Sequence, residues 1–277
     1  MRALDELIDT SRLAYYHGEM LRRRRITAEK RDGLLKAFCG ADLTATDAAD
    51  PDSGVGVNRQ TANLYYSHFR ECIWNYLQKA PRFSGEIEMD QGFFGRGIRG
   101  RPEDTTIKAP TPYSVPSSDP LYSPIEAGRK PKKPRGKPRK NVQVFGIMQR
   151  GGDVYTQIIT HADKNTLLPI VHMIVEPGST IYTDKWAGFN DLGADGYVHR
   201  SVNHSDGYVA PDGAHTQNID LFWKFAKQRL WQFHGINRRT FPFHLKECEL
   251  RYNMRKDKRG FAKLIKRLAF PRKKRAK

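Results

Sequence analysis

Three aspartates have the types and placement to do chemistry: Asp90 in "GEIEMDQGFF", Asp184 in "STIYTDKWAGF" and Asp220 in "NIDLFWKFAKQRLW". Asp90 falls in an alternating segment, where Glu88 shares its face because strand side chains alternate. Asp184 ends a short β-branched and aromatic run. Asp220 belongs to a helical pattern in which Ile219, Phe222, Trp223, Ala226 and Leu230 form one apolar stripe. At 100° per residue, Asp220 and Lys227 line up along a flank of that stripe, about 10 Å apart along the axis. Each acid alone has an ordinary explanation. Asp90 suits a turn, Asp184 suits a helix N-cap, and Asp220 suits a first helical turn, where the dipole favours negative charge. Taken together in one cleft, three carboxylates would repel one another, and burial would raise their pKa values. Divalent cations remove that conflict. Mg2+ (or Mn2+) takes oxygen ligands, and two such ions about 4 Å apart can activate an attacking oxygen and stabilise a leaving one in phosphodiester chemistry.

The elements that must position these acids can be read from hydrophobic period. Residues 1–80 are helical in pattern, and "LTATDAADPDSGVGVNRQTANLYYSHFRECIWNYL" has the order of a helix-turn-helix. A short helix over about Thr44–Ala49 is followed by a Pro/Gly-rich turn. Asn58 then caps a second helix with Ala62, Tyr65 and Phe69 on one face. Arg59, Gln60 and Asn63 lie off that face near the helix start, where this motif presents side chains to base edges. An ordinary helical hairpin is the competing reading. From residue 84 the pattern changes to strand, strand, strand, helix, strand, helix, strand, helix, which predicts a mixed sheet flanked by helices. "NVQVFGIMQRGGDVYTQIIT" reads as two strands turning at Gly151-Gly152. "NTLLPIVHMIVEPG" reads as a helix, with Pro169 expected only in its first turn.

Charge narrows the partners. The 277 residues hold 48 Lys and Arg against 30 Asp and Glu, a formal net charge of +18. Such an excess attracts polyanions, and nucleic acid is the commonest. The segment 96–140 is rich in Pro, Ser and Gly and ends in "RKPKKPRGKPRK". It is expected to be a flexible basic insertion whose Arg129, Lys130, Lys132, Lys133, Arg135, Lys137, Arg139 and Lys140 lie along phosphates. The competing reading is a passive linker. A basic tail over 257–277 repeats the theme, with Phe261, Leu264, Ile265 and Leu268 marking an amphipathic helix that could touch DNA, another subunit or an acidic surface. Cys39, Cys72 and Cys248 are scattered, with no CxxC pair, which excludes a zinc ribbon and a disulfide framework. No run is apolar enough for a membrane span, and the first residues lack a signal-peptide core. Cytoplasmic, nucleoid-associated placement is expected if the source is bacterial.

Five blocks in order, "EMDQGFFG", "GSTIYTDKWAGF", "GYVHRSVNHSDGYV", "AHTQNIDLFWKFAKQRLWQFHGI" and "HLKECELRYN", resemble the DDE transposases of bacterial insertion sequences, ISXO-like group, related to Merlin-type elements. The resemblance covers about Glu86 to Asn253 apart from the insertion. It implies an RNase H-like catalytic domain over 84–256 that uses Mg2+ to cut element ends and join them to target DNA. It places the family's three acids, as catalytic and metal-binding residues, on Asp90, Asp184 and Asp220, and the helix lysine on Lys227, which could contact a DNA phosphate. The third acid is usually Glu in the nearest subgroup and is Asp here, one methylene shorter. Gln217 stands where many members carry Asn, and the zinc ribbon of many members is missing. The implied partner is double-stranded DNA, both terminal inverted repeats and target, with a homodimer expected because two ends must be joined. Two alternatives stay open: a catalytically inactive transposase-derived DNA-binding protein or repressor, and an RNase H-like nuclease. Among the remaining polar and aromatic residues, His204 and His215 are expected to be structural, Trp186 and Trp223 to pack, and Glu88 to be a strand-edge acid rather than a support for the site. Glu247 and Arg251 are expected to form an internal ion pair.

Overall fold

The structure is a computed structural model that describes residues 26–95, 98–99, 141–184, 195–202 and 216–271. The chain begins with helices α1 (Ala28–Cys39), α2 (Ala45–Ala48) and α3 (Arg59–Tyr76), with a 3-10 turn at Pro51–Ser53 between the last two. Local chemistry sets each start. Thr44 and Asp47 form a reciprocal capping box on α2. Asn58 Oδ1 accepts the Thr61 N–H at 2.8 Å and caps α3, as the sequence predicts. Gly54 ends the 3-10 turn at φ +70°, a left-handed value that suits glycine. The core here is aromatic: Phe38 of α1 meets Tyr66 and Phe69 of α3 edge to face, with ring centroids 5.0 and 5.2 Å apart.

The last described helix, α7 (Lys258–Ala269), returns to this core and buries Phe261, Leu264, Ile265 and Ala269 against it. The amphipathic helix expected at the start of the basic tail therefore exists, but its apolar face is covered within the chain by α1 and α3. Burial of four apolar side chains outweighs the solvation of an otherwise basic segment.

Between these helices lies a five-stranded sheet in the order β4-β3-β1-β5-β6. Its strands are β1 (Glu86–Phe94), β3 (Val142–Gln149), β4 (Val154–Ile159), β5 (Thr180–Asp184) and β6 (Val198–Val202). β1, β3 and β4 run antiparallel to one another in turn, and β5 and β6 run parallel to β1. The β3–β4 hairpin turns through Gly151 at φ +70°, the expected place. Helix α4 (Lys164–Ile174) covers one face, packing Leu167, Ile170, Val171 and Ile174 on Ile87, Met89, Phe145, Ile147 and Ile181. Helices α5 (Gln217–Trp231) and α6 (Phe241–Asn253) cover the other, where Phe94, Val144, Met148 and Val154 meet Ile219, Phe222 and Trp223. This mixed sheet between helical layers is what the order of elements in the sequence predicts, and its strand order matches the RNase H-like architecture that the family resemblance implies.

Two expectations are corrected. Pro169 lies inside α4 rather than in its first turn. It is tolerated because residues 165 and 169 are both exposed, so the carbonyl that loses its N–H partner can turn to water. The segment 96–140 is not wholly unpaired either. β2 (Ile98–Arg99) pairs in parallel with β7 (Ile236–Asn237), and an Arg99 guanidinium N–H donates to the His234 carbonyl at 3.1 Å. Within the segment, Ile98 is the apolar residue that leads the paired dipeptide.

α6 also closes the outer edge of the sheet. Asn253 exchanges two hydrogen bonds of 2.9 Å with the Val154 backbone. Glu249 accepts the Thr156 N–H at 2.8 Å, and Lys246 donates to the Thr156 carbonyl at 2.8 Å. Side chains thus satisfy an edge that would otherwise invite another strand. Among the described residues, no helix is long and apolar enough to cross a membrane.

Candidate active site

Alternation along β1 sends Ile87 and Met89 toward α4 and sends Glu88 and Asp90 toward α5. Both acids are used there. Asp90 Oδ2 accepts the indole N–H of Trp223 at 2.9 Å. The Trp223 ring rests on two glycines of neighbouring strands. A Cβ at Gly146 would stand 2.6 Å from the ring, and one at Gly92 2.8 Å from it. Neither position can carry a side chain while the indole keeps this place.

Glu88 has no exposed surface. The α5 N-cap residue, Thr216, makes no side-chain cap, and Glu88 takes over that task from the strand. Its Oε2 accepts the backbone N–H groups of Asn218 and Ile219 at 3.0 and 3.1 Å. Its Oε1 accepts from the Asn218 side-chain amide at 2.7 Å and from Arg150 Nε at 3.0 Å. The helix dipole and the guanidinium together compensate a buried charge. The expectation of a strand-edge acid is corrected: β1 is the central strand, covered on both faces, so an acid within it is buried and must be paired.

Asp220 follows on the first turn of α5, between the residues held by Glu88 and the Trp223 held by Asp90. It is partly buried at the same helix–strand contact. Asp184 ends β5, and its backbone pairs with Val202. The parallel β1–β5 register runs to Met89↔Thr183, so Asp90 and Asp184 are the next residues along the two adjacent strands. Beneath them, the fully buried Thr183 hydroxyl lies 2.8 Å from His199 Nε2, and burial pulls the His199 pKa down. The fold therefore brings the elements carrying all three predicted acids to the middle of β1. Oxygen-only donors of this kind fit a hard divalent cation. Among the described residues, no group of three His, Cys, Asp or Glu is assembled to hold a metal ion.

Lys227, two turns along α5 from Asp220, is exposed, with its ammonium 5.9 Å from the centroid of the Phe94 ring. Arg59, Gln60 and Asn63 are exposed on the first turn of α3, while Ala62, Tyr65 and Phe69 are buried on its inner face. Arg129 to Lys140, Trp186, His204 and His215 lie outside the described residues. Trp223 and Glu88 are what the sequence reading missed. For Glu88 a signal was present: "EIEMD" puts an acid between Ile87 and Met89, in a strand with both faces covered.

The family described as ISXO2-like transposase domain matches residues 120–253. A Haemophilus influenzae protein described as an uncharacterized transposase-like protein is 37% identical over 100 residues, which span 36% of this chain and 80% of that protein. The chain belongs to the ISXO2-like transposase family. The family match includes Asp184, Asp220 and Lys227, and β1 with Asp90 precedes it. Among solved structures, this family member is similar to a pre-cleavage Mos1 transpososome, at 10% identity and a TM-score of 0.32, with 96% of this chain and 86% of that chain covered. The Mos1 strand transfer complex gives 11% identity and a TM-score of 0.31, with 89% and 77% covered. The fold assignment of this transposase-family chain rests on its own strand order, not on these superpositions.

Proposed function

We propose that this protein cuts the ends of a DNA element and joins them to target DNA, with Asp90, Asp184 and Asp220 as its catalytic acids. The observation that carries the reading is the convergence of three elements. Asp90 and Asp184 take adjacent positions on parallel strands, and Asp220 rides the helix bonded to β1 on both sides of it, in a chain of the transposase family. Water attacks the scissile phosphorus at the element end, and the 3′-oxygen leaves as a hydroxyl. That 3′-OH then attacks a phosphorus of target DNA and displaces the target's own 3′-oxygen. Neither step needs a covalent bond to the protein. Mg2+ or Mn2+ held by the three carboxylates would supply the positive charge that activates the attacking oxygen and stabilises the leaving one. The protein's own part is to hold those carboxylates at a shared position and to orient DNA. Lys227 takes a phosphate near the cut, Arg59, Gln60 and Asn63 on α3 reach base edges, and Arg129 to Lys140 track the backbone. Joining two ends requires two copies of the site, hence a homodimer on DNA.

The test is cleavage of a duplex carrying the inverted repeats that bracket the gene, in Mg2+ or Mn2+. Asp90→Ala and Asp184→Ala are expected to abolish it while duplex binding persists. Cleavage at the wild-type rate by either variant sinks the assignment. A second reading, binding without cleavage, is favoured by one observation, the short Asp220 in place of Glu.

A further inference from the structure

We infer that Glu88 and Trp223 are positioning residues for the reaction proposed above, clamping α5 to β1 at two points and so setting where Asp220 stands relative to Asp90. The inference rests on that reading of the site. At the first point Glu88 holds the amides of Asn218 and Ile219 at 3.0 and 3.1 Å. At the second, Trp223 Nε1 is bonded to Asp90 Oδ2 at 2.9 Å. The two points are two residues apart on the strand, about 6.6 Å. From Ile219 to Trp223 they are four residues apart on the helix, about 6 Å. Matched spacings let one rigid helix satisfy both points when it runs along β1 in a single register. A slip of one residue would turn the helix by 100° and carry the indole off Gly92 and Gly146, whose missing Cβ atoms leave room for it. Asp220 lies between the points, so its place follows from them.

The residue types support a directional role over a packing one. A buried carboxylate seldom stabilises a fold better than a hydrophobic residue of similar size, so packing alone gives no reason for an acid at 88. Phenylalanine would fill the glycine platform nearly as well as Trp223 but has no N–H to give Asp90. Glu88 is also tied to the sheet by Arg150, whose guanidinium bonds both Glu88 and Glu86, at 3.0 and 3.3 Å, and lies 3.7 Å from the centroid of the Tyr182 ring on β5. The clamp thus reaches the strand that ends in Asp184.

The experiment uses the full chain and four variants, Trp223→Phe, Glu88→Gln, the double variant Glu88→Gln/Asn218→Asp, and Asp90→Ala. Circular dichroism confirms folding at the assay temperature. Mn2+ is titrated without DNA and the free ion followed by electron paramagnetic resonance, and kcat and KM are measured for end cleavage. Trp223→Phe and Glu88→Gln are expected to weaken Mn2+ binding about tenfold, the order seen when groups that orient metal ligands are removed, and to lower kcat with KM for DNA unchanged. The double variant moves the negative charge across an existing hydrogen bond and should recover both quantities. Mn2+ binding and kcat at wild-type values in folded Trp223→Phe overturn the clamp, even if Glu88→Gln fails to fold. A defect in Glu88→Gln that the double variant leaves in place overturns the part assigned to Glu88. If Asp90→Ala itself binds Mn2+ and cleaves normally, the underlying assignment of the site falls and the clamp with it. An inactive Asp90→Ala beside intact clamp variants sinks the clamp alone.

Discussion

Under the proposed function, Asp220 is the residue on which activity turns. A carboxylate one methylene shorter than Glu still binds a hard cation, but its oxygens start about 1.5 Å nearer the helix axis, and a metal-assisted step is sensitive to misplacement of that size. If the natural chain is an active enzyme, wild type cleaves, and Asp220→Glu changes the rate without creating the activity. If the chain is a crippled descendant, wild type is inert and Asp220→Glu gains cleavage. If both are inert while DNA is bound tightly, the binding-only reading wins. The comparison is one cleavage assay with matched duplex-binding measurements. Lys227 offers a check from the opposite charge. Its ammonium, held over Phe94 at 5.9 Å, is exposed and available to a phosphate. Lys227→Ala is expected to weaken binding to element ends several-fold and to lower the salt slope by about one unit. An unchanged slope would remove Lys227 from the DNA contact.

At the scale of elements, the proposed function divides DNA binding between α3 and the basic insertion. α3 exposes Arg59, Gln60 and Asn63 on its first turn, stiffened by the Asn58 cap at 2.8 Å and by a buried face set against α1 and α7. Side chains on a rigid helix can read bases, whereas a run of basic residues supplies charge that follows phosphates. Removing residues 129–140 is therefore expected to weaken binding to element ends and to random duplex alike. It should also flatten the dependence of log K on log salt, each lost phosphate contact contributing about −0.9. Preference for element ends should survive. Affinities across a salt series decide this. Parallel slopes would reduce the segment to a linker, and selective loss of end binding would show that it reads sequence.

At the scale of the whole molecule, one buried carboxylate ties the helical layer to the sheet domain. Glu247 of α6 is fully buried and accepts from Arg70 of α3 at 2.7 Å, Arg229 of α5 at 2.5 Å and Arg251 of α6 at 2.9 Å. Asp42, in the connection after α1, shares Arg229 and Arg251. The same α5 that carries Asp220 is therefore anchored to α3. Burial alone would raise the Glu247 pKa, but the guanidinium groups of Arg229, Arg70 and Arg251 outweigh it and hold the carboxyl well below its usual range. The native state thus prefers the ionised form more than the unfolded chain does. That contribution is fully present above the ordinary value of 4.5 and drains away as pH falls below it. Glu247→Gln removes the buried counter-charge that three arginines share, leaving Asp42 to Arg229 and Arg251, and is expected to cost about 3–5 kcal/mol at neutral pH. It should also flatten the acid side of the stability–pH curve below about pH 4.5. Denaturant unfolding at a series of pH values measures both. Equal stability in the two proteins at pH 7 would show that the anchor contributes nothing.

Much of this was legible in the residues alone. Period-2 and period-3.6 patterns place β1, the β3–β4 hairpin, α5 and α3 close to where they fold, because local sterics and one-sided burial set those periods. Capping chemistry at Asn58 is local and was readable for the same reason. The order of Asp90, Asp184 and Asp220 was readable through family resemblance, and the net charge of +18 pointed to a polyanion. Only the tertiary structure decided which faces meet. A period says that a face is buried but not against what, so Trp223 read as packing until Gly92 and Gly146 were seen to admit it to Asp90. Glu88 read as an edge acid until β1 proved central. The apolar face of α7 had no visible occupant until the chain end folded back on α1 and α3. Contacts of this kind join segments far apart in the chain, and their choice rests on close packing of the whole set of elements, which no local pattern encodes.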